Sequence, residues 1–278
     1  MKRIILIAFT LLAGAFAYAQ DAPQNTADKV SGASDSKVQI GGYAQIDYNQ
    51  PVNEGETSNG TLDVHRMVLL FGYRFNERLN FVTEIEMEHV KEVYVEQAFL
   101  NYKILPWLDF RGGLMLVPMG IVNEYHEPTT YNGVERPNVD KSIVPSTWRE
   151  IGLGISGKID NANLRYQAYI FNGFASVNGS KVLGGSNGLR NGRQKGAEST
   201  INTPNLSTKI DFYGIQGLRL GLSGYFGRSQ AEDDVDAIDG SEVGISMFGL
   251  DGRYVNSRFS ARGQYIHTII NDAKNYNA

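Results

Sequence analysis

The sequence predicts an all-β chain of the transmembrane, antiparallel, up-and-down β-barrel class. Three observations carry that expectation: runs with apolar side chains on alternate positions, connections that switch between tight turns and long polar loops, and an export-type N-terminus. Barrels that cross outer membranes pair short periplasmic turns with long external loops. Strands of about 11 residues, each rising roughly 3.3 Å and tilted by about 40°, span an apolar band close to 25 Å.

Met1, Lys2 and Arg3 precede an apolar stretch, Ile4 to Ala17, that ends in Ala17-Tyr18-Ala19. This is a charged head, a hydrophobic segment and a small-x-small cleavage site, so residues 1–19 are expected to be a signal peptide. The stretch falls short of the roughly 20 residues a helical span needs. No later apolar run comes near that length, since Met67 to Phe71 is followed at once by glycine. The chain has no cysteine, which excludes disulfides, thiol nucleophiles and a lipoprotein anchor. Removing Lys2 and Arg3 leaves 24 basic against 30 acidic residues, a formal charge of −6 that gives nucleic-acid binding no support. Hydrophobic content of 42% with 31 Gly and 15 Tyr suits a wall that needs apolar residues only at every second position.

Residues 20–36 are small, polar and aperiodic, and read as a periplasmic linker before a barrel domain at 37–278. The first strand, Lys37 to Asn49, alternates Val38, Ile40, Gly42, Ala44, Ile46 and Tyr48 with Gln39, Gly41, Tyr43, Gln45 and Asp47. After the loop 50–60 come a second strand, Thr61 to Phe75, and a tight turn at Asn76 to Arg78. The third strand sets Phe81, Thr83, Ile85 and Met87 against Glu84, Glu86 and Glu88, three glutamates that must face water. The fourth runs from Val93 to Lys103 and the fifth from Leu108 to Val117. A long segment, Pro118 to Thr147, leads to the sixth, Trp148 to Lys158. The seventh places Leu164, Tyr166, Ala168 and Ile170 opposite Arg165, Gln167 and Tyr169. A second long loop, 172–204, precedes the eighth, Asn205 to Phe212. The ninth carries Leu218, Leu220 and Leu222, the tenth spans Glu242 to Tyr254, and the eleventh sets Phe259, Ala261, Tyr265 and Ile269 against Arg262, Gln264 and Thr268. Trp107, Trp148, Tyr102, Tyr213 and Tyr254 fall near strand ends, as interfacial aromatic girdles do.

Three positions break the pattern. Arg66 shares parity with Leu62, Val64, Val68 and Leu70, and an arginine facing lipid at mid-depth costs roughly 2 to 4 kcal/mol, so a bulge or a rim position is expected there. Glu96 poses the same problem, and the tenth strand changes its apolar parity between Met247 and Phe248. The strand count is odd, whereas closed single-chain bacterial barrels are even, so further strands are expected beyond Asn271 to Ala278.

Gly113 to Gly120 (GLMLVPMG) resembles the segment entering the third loop of phosphate-selective, O/P-type porins. Arg149-Glu150-x-Gly152 with Gly157, Phe171-Asn172-Gly173, Gly217 to Tyr225 (GLRLGLSGY) and Asp63-Val64-His65-Arg66 are similar to other segments of that family, so that the resemblance covers about residues 37–270. It implies a 16-stranded, trimeric pore in a Gram-negative outer membrane, in contact with lipid and passing small hydrophilic solutes or anions, phosphate among them. No cofactor, metal or catalysis is expected; a non-conducting adhesin or structural barrel, or an outer-membrane hydrolase, are the alternatives.

Loop 121–145 is too long for an unstructured connection and is the candidate constriction. Folded inward, it would offer Glu124, Tyr125, His126, Glu127, Arg136 and Lys141 to permeating solutes. Alternation assigns Arg111, Arg165, Arg219 and Arg262 to the lumen, facing Asp47, Asp63, Glu84, Glu86 and Glu88. Such walls make either a transverse field or a salt-bridged filling. His65, His89, His126 and His267 lack ligand spacing, so only tertiary proximity would make a metal site of them. The acidic run Glu232 to Asp236 lacks the glycine and terminal glutamate of an EF-hand, and Gly184 to Gly188 opens no helix that would cradle phosphate. Ser223 or Ser260 with His267 would be the pair to test for hydrolysis.

Overall fold

Eleven strands hydrogen-bond in sequence order into one antiparallel meander with β1 and β11 at its edges. They are β1 (Val38–Asn49), β2 (Thr61–Arg74), β3 (Leu79–Glu88), β4 (Glu92–Leu105), β5 (Leu108–Leu116), β6 (Arg149–Ile159), β7 (Leu164–Phe171), β8 (Asn205–Ile215), β9 (Leu218–Arg228), β10 (Gly244–Val255) and β11 (Ser260–Asn271). The structure is a computed structural model that describes residues 25, 36–52, 59–130, 136–231 and 240–277. The expected signal peptide, nearly all of the linker and the acidic run 232–236 lie outside the described residues. Among the described residues no pairing joins β1 to β11, so the sheet is not closed. Two short helices, α1 (Val139–Ser142) and α2 (Ala273–Asn277), lie at the long-loop end, and no described helix is long and apolar enough to cross a membrane.

The alternation read from the sequence is the alternation of the faces. Ile40 (70%), Leu222 (61%), Leu250 (59%) and Tyr265 (65%) are exposed on one side, while their neighbours Gln39, Ser223 and Asp251 are buried on the other. An apolar face turned outward with a polar face turned inward is the reverse of a soluble sandwich, whose oily faces stack.

Both arginine and glutamate misfits resolve as bulges. Opposite Ile46 of β1, β2 holds two residues, Val64 and His65, so the register slips between Asp63 and Arg66. From there on Met67 and Tyr73 face outward and Arg66, Val68 and Leu70 face inward, fully buried. In β4, Glu96 is the extra residue between Val95 and Gln97, which face the adjacent pair Ile85 and Glu84 of β3. Val93 and Val95 stay outside, and both Glu96 and Gln97 turn in. A bulge shifts the parity of every residue on one side of it, which is the one backbone change that keeps a charge off lipid without interrupting the strand. The tenth strand differs: β10 holds an unbroken register with both neighbours. Ile245 and Met247 face inward all the same, because apolar loop residues fill the lumen there.

That filling is a cluster the alternation pattern does not anticipate. Inward residues Val82, Phe99, Tyr169, Phe171, Tyr225, Ile245 and Met247 pack with Val117, Met119, Val144, Trp148, Phe174 and Leu189 from the two long loops. Trp148 is therefore not a girdle residue; it is fully buried, stacked on Phe174 at 4.3 Å and edge-on to Tyr225 at 4.8 Å. Tyr213 also turns inward and is buried, whereas Trp107, Tyr102 and Tyr254 are exposed at the short-turn end. The connections at that end are tight, and Gly217 turns one of them with φ of +78°, where a Cβ would lie 2.2 Å from the Val255 carbonyl oxygen. At the opposite end the β3–β4 connection, residues 89–91, is as short as any turn.

Leu153 lies outward at the middle of β6. Leu153→Arg is expected to destabilise the bilayer-inserted sheet by roughly 2 to 4 kcal/mol, read as a lowered urea midpoint for unfolding from phospholipid vesicles.

Candidate pore constriction

The chain leaves β5 through Pro118 and turns inward at Gly120, whose φ of +66° favours glycine. Two side chains from distant strands catch it there. Lys209 of β8 donates through Nζ to the Gly120 carbonyl at 2.6 Å, and the Ile121 amide donates to Oε1 of Gln264 in β11 at 3.0 Å. Gln264 also donates to both carboxylate oxygens of Asp140, at 2.8 and 2.9 Å, so one residue of β11 holds the outgoing and returning limbs of the loop. Asn123 closes the base, donating to the Val117 and Trp148 carbonyls and accepting from the Trp148 amide. The loop thus crosses the inner face from β5 and β6 to β11.

Glu124, Tyr125 and His126 are buried and fixed to two sides of the wall, the first two to β7–β9 and the third to β3 and β4. Glu124 meets Lys209 at 2.9 Å, accepts from Gln167 of β7 at 2.7 Å and lies 3.8 Å from Arg165. Burial pushes its carboxyl up, but Lys209 and Arg165 outweigh that and hold it down at about 2. The Tyr125 hydroxyl accepts from Arg165 at 3.1 Å, and its ring stacks under the Arg219 guanidinium at 4.5 Å. His126 Nε2 lies 2.7 Å from Glu96 and 3.6 Å from Glu84. Burial alone would lower the imidazole, yet the two carboxylates raise it well above its ordinary range. Glu127 and Arg136 are half-buried and Lys141 is exposed on α1.

The wall residues assigned by alternation, Arg111, Arg165, Arg219, Arg262, Asp47, Asp63, Glu84, Glu86 and Glu88, all lie on the inner face. Arg66, Glu96, Lys209, Asp211, Asp251 and Arg253 join them. Arg66 and Glu96 stood out as misfits of the alternation, and the bulges turn both inward. Lys209 and Asp211 were legible from the alternation of LSTKIDF in β8, and Asp251 and Arg253 from their spacing in β10. Carboxylates gather on β1–β4, where Arg66 pairs with Glu86 at 2.9 Å. Arginines gather on β9–β11: Arg219 faces Arg253 in register, and Arg253 faces Arg262. At the short-turn mouth a polar cleft of about 490 Å³ is lined by Arg74, Glu77, Asn101, Lys103, Asp109 and Lys158. Neither serine is brought to His267, since Ser223 is on the inner face and His267 on the outer one, and Ser260 lies seven residues from His267 along the same extended strand.

No family model matches the chain. An uncharacterized protein of Aquifex aeolicus (strain VF5) is 39% identical over 205 residues, covering 70% of this chain and 45% of the relative, so the chain spans under half the length of the relative it matches. Among solved structures, OmpF of Salmonella typhi, in complex with daunomycin, superposes with a TM-score of 0.52 at 14% identity, over 83% of this chain and 65% of that one. OmpT, an outer membrane protein of Vibrio cholerae in its trimer form, superposes with a TM-score of 0.39 at 11% identity, over 85% and 79%. At this identity the OmpF likeness establishes the fold, an outer-membrane β-barrel architecture.

Glu124→Ala leaves the buried Lys209 without its nearest carboxylate, and is expected to cost about 3 kcal/mol and to expose the loop to limited proteolysis. The Glu124 carboxyl sits below its ordinary value of 4.5, so its contribution is complete above about pH 4.5 and declines as pH falls toward about 2. Protease susceptibility of the loop should rise over that window in the parent chain and stay flat in the variant.

Proposed function

We propose that the chain forms the wall and constriction of a water-filled diffusion pore in the outer membrane, passing small hydrophilic solutes. The observation that carries this reading is the inward fold of residues 117–130 and 136–148, clamped by ion pairs and hydrogen bonds against a wall whose opposite face is apolar. A loop held across a lumen narrows it and sets charged groups along what remains open. The homotrimer and lipid contact implied by the family resemblance belong to the same proposal.

Anion preference, phosphate included, is the finer part of the reading. Arg253 and Arg262 face each other in register beside Arg219, whose charge is met by Asp211 and Asp251; like charges so placed add nothing to stability by themselves and suit a path for anions. The carboxylates of β1–β4 oppose them, which makes a transverse field across the lumen. A second reading, a non-conducting structural or adhesive barrel, is favoured by one observation: the apolar cluster under the long loops closes part of the lumen.

Planar-bilayer recording separates the two. Discrete conductance steps from the refolded full chain are expected, with a reversal potential in a KCl gradient on the chloride side, and the triple change Arg219→Gln, Arg253→Gln and Arg262→Gln should move it toward potassium. A correctly folded chain that inserts and never conducts would leave the structural barrel standing in place of the pore.

A further inference from the structure

Away from the constriction, at the long-loop end of β1–β3, three separate segments bring two imidazoles and two carboxylates together. His65 Nδ1 lies 2.9 Å from Asp47 Oδ2, and His89 Nδ1 lies 2.6 Å from Asp63 Oδ2. Donor atoms of Asp47, Asp63 and His65 all fall within 4.8 Å of one another, and the two imidazole rings are 5.5 Å apart. The β2 bulge creates the cluster. Asp63 stays opposite Asp47 in register, and the extra residue allows His65 to follow on the same inner face. His89 is brought in by the three-residue turn, with φ of +52° and its amide donating to the His65 carbonyl at 3.3 Å.

Two features point to a bound cation. Asp47 and Asp63 face each other directly across two strands, where like charges repel; His65 and His89 lie against them and the Gln45 amide donates to Asp47 Oδ2 at 3.2 Å. Arg66, opposite Gln45 in the register, is engaged with Glu86 and Glu88. With side-chain exposures from 14% to 43%, the four groups are open to an ion from the aqueous side. The donor chemistry is selective: magnesium and calcium take all-oxygen shells, whereas a mixed imidazole and carboxylate set suits zinc and its first-row neighbours. Donors on a tetrahedral zinc ion with bonds of about 2.0 to 2.1 Å stand roughly 3.4 Å apart, so the two close pairs must open and His89, outside the group of Asp47, Asp63 and His65, must swing toward it by side-chain rotation.

We propose that Asp47, Asp63, His65 and His89 form a divalent transition-metal site at the pore mouth that ties β1, β2 and the β3–β4 turn together. The ion replaces the proton between each imidazole and its carboxylate and neutralises the aspartate pair. This inference is independent of conduction, since it stands for a pore and for a closed barrel alike.

The test is calorimetric titration of the refolded, chelator-stripped full chain with zinc chloride alone. One zinc ion per chain is expected, weakened at least about tenfold by His65→Gln, His89→Gln or Asp47→Asn, each ligand loss removing one bond of the shell. His267→Gln, on the outer face, should bind as the parent does. Heat-modifiable gel mobility checks the fold of every variant. Should the variants fail to fold, cobalt added to the parent chain decides: a tetrahedral visible spectrum supports the site and an octahedral one overturns it. Zinc affinity unchanged in the folded variants, no saturable binding in the parent, or displacement by equimolar magnesium would each overturn the proposal.

Discussion

Each strand of this sheet separates two solvents, and the two-residue period of the backbone is what keeps them apart. A single slip in that period would carry a row of charges into lipid and a row of leucines into water. Arg66 and Glu96 sit where such a slip would otherwise occur, and in both cases the chain inserts one residue on one strand and corrects the phase. The correction does more than protect the strand. It turns Arg66 toward Glu86, Glu96 toward His126, and His65 toward Asp47. The bulges therefore generate the polar contacts on this side of the lumen.

The lumen has two regimes. Under the long loops it is aromatic, built on Trp148, Phe174 and Tyr225. Below, Lys209, Arg165 and Arg219 interleave with Glu124, Asp211 and Asp251, three cations with three anions. Buried ion pairs of this sort add little net stability over a well-packed apolar equivalent, but removing one member is costly. Their use here is positional. Glu124 and Tyr125 engage β7, β8 and β9 while His126 engages β3 and β4, and the loop has one seat.

Strand positions and facing residues were legible because lipid and water impose opposite demands on neighbouring side chains, and β1, β3, β7 and β9 show that directly. The same logic flagged Arg66 and Glu96, since an outward charge is physically untenable. It had no purchase on Met247, because apolar filling of the inner face comes from loops far away in the chain, nor on Trp148, which packs in the core though it sits at a strand end.

The amino-acid order by itself determined the eleven long strands of the sheet, which face of each is apolar, and that Arg66 and Glu96 break the alternation. Only the tertiary structure decided what the inner groups meet. Glu124 and Lys209 are 85 residues apart, and His65 and His89 belong to different strands and turns. Alternation is a property of neighbours along the chain, whereas ion pairing and ligand clustering are set by the curvature of the sheet and the path of a loop across it.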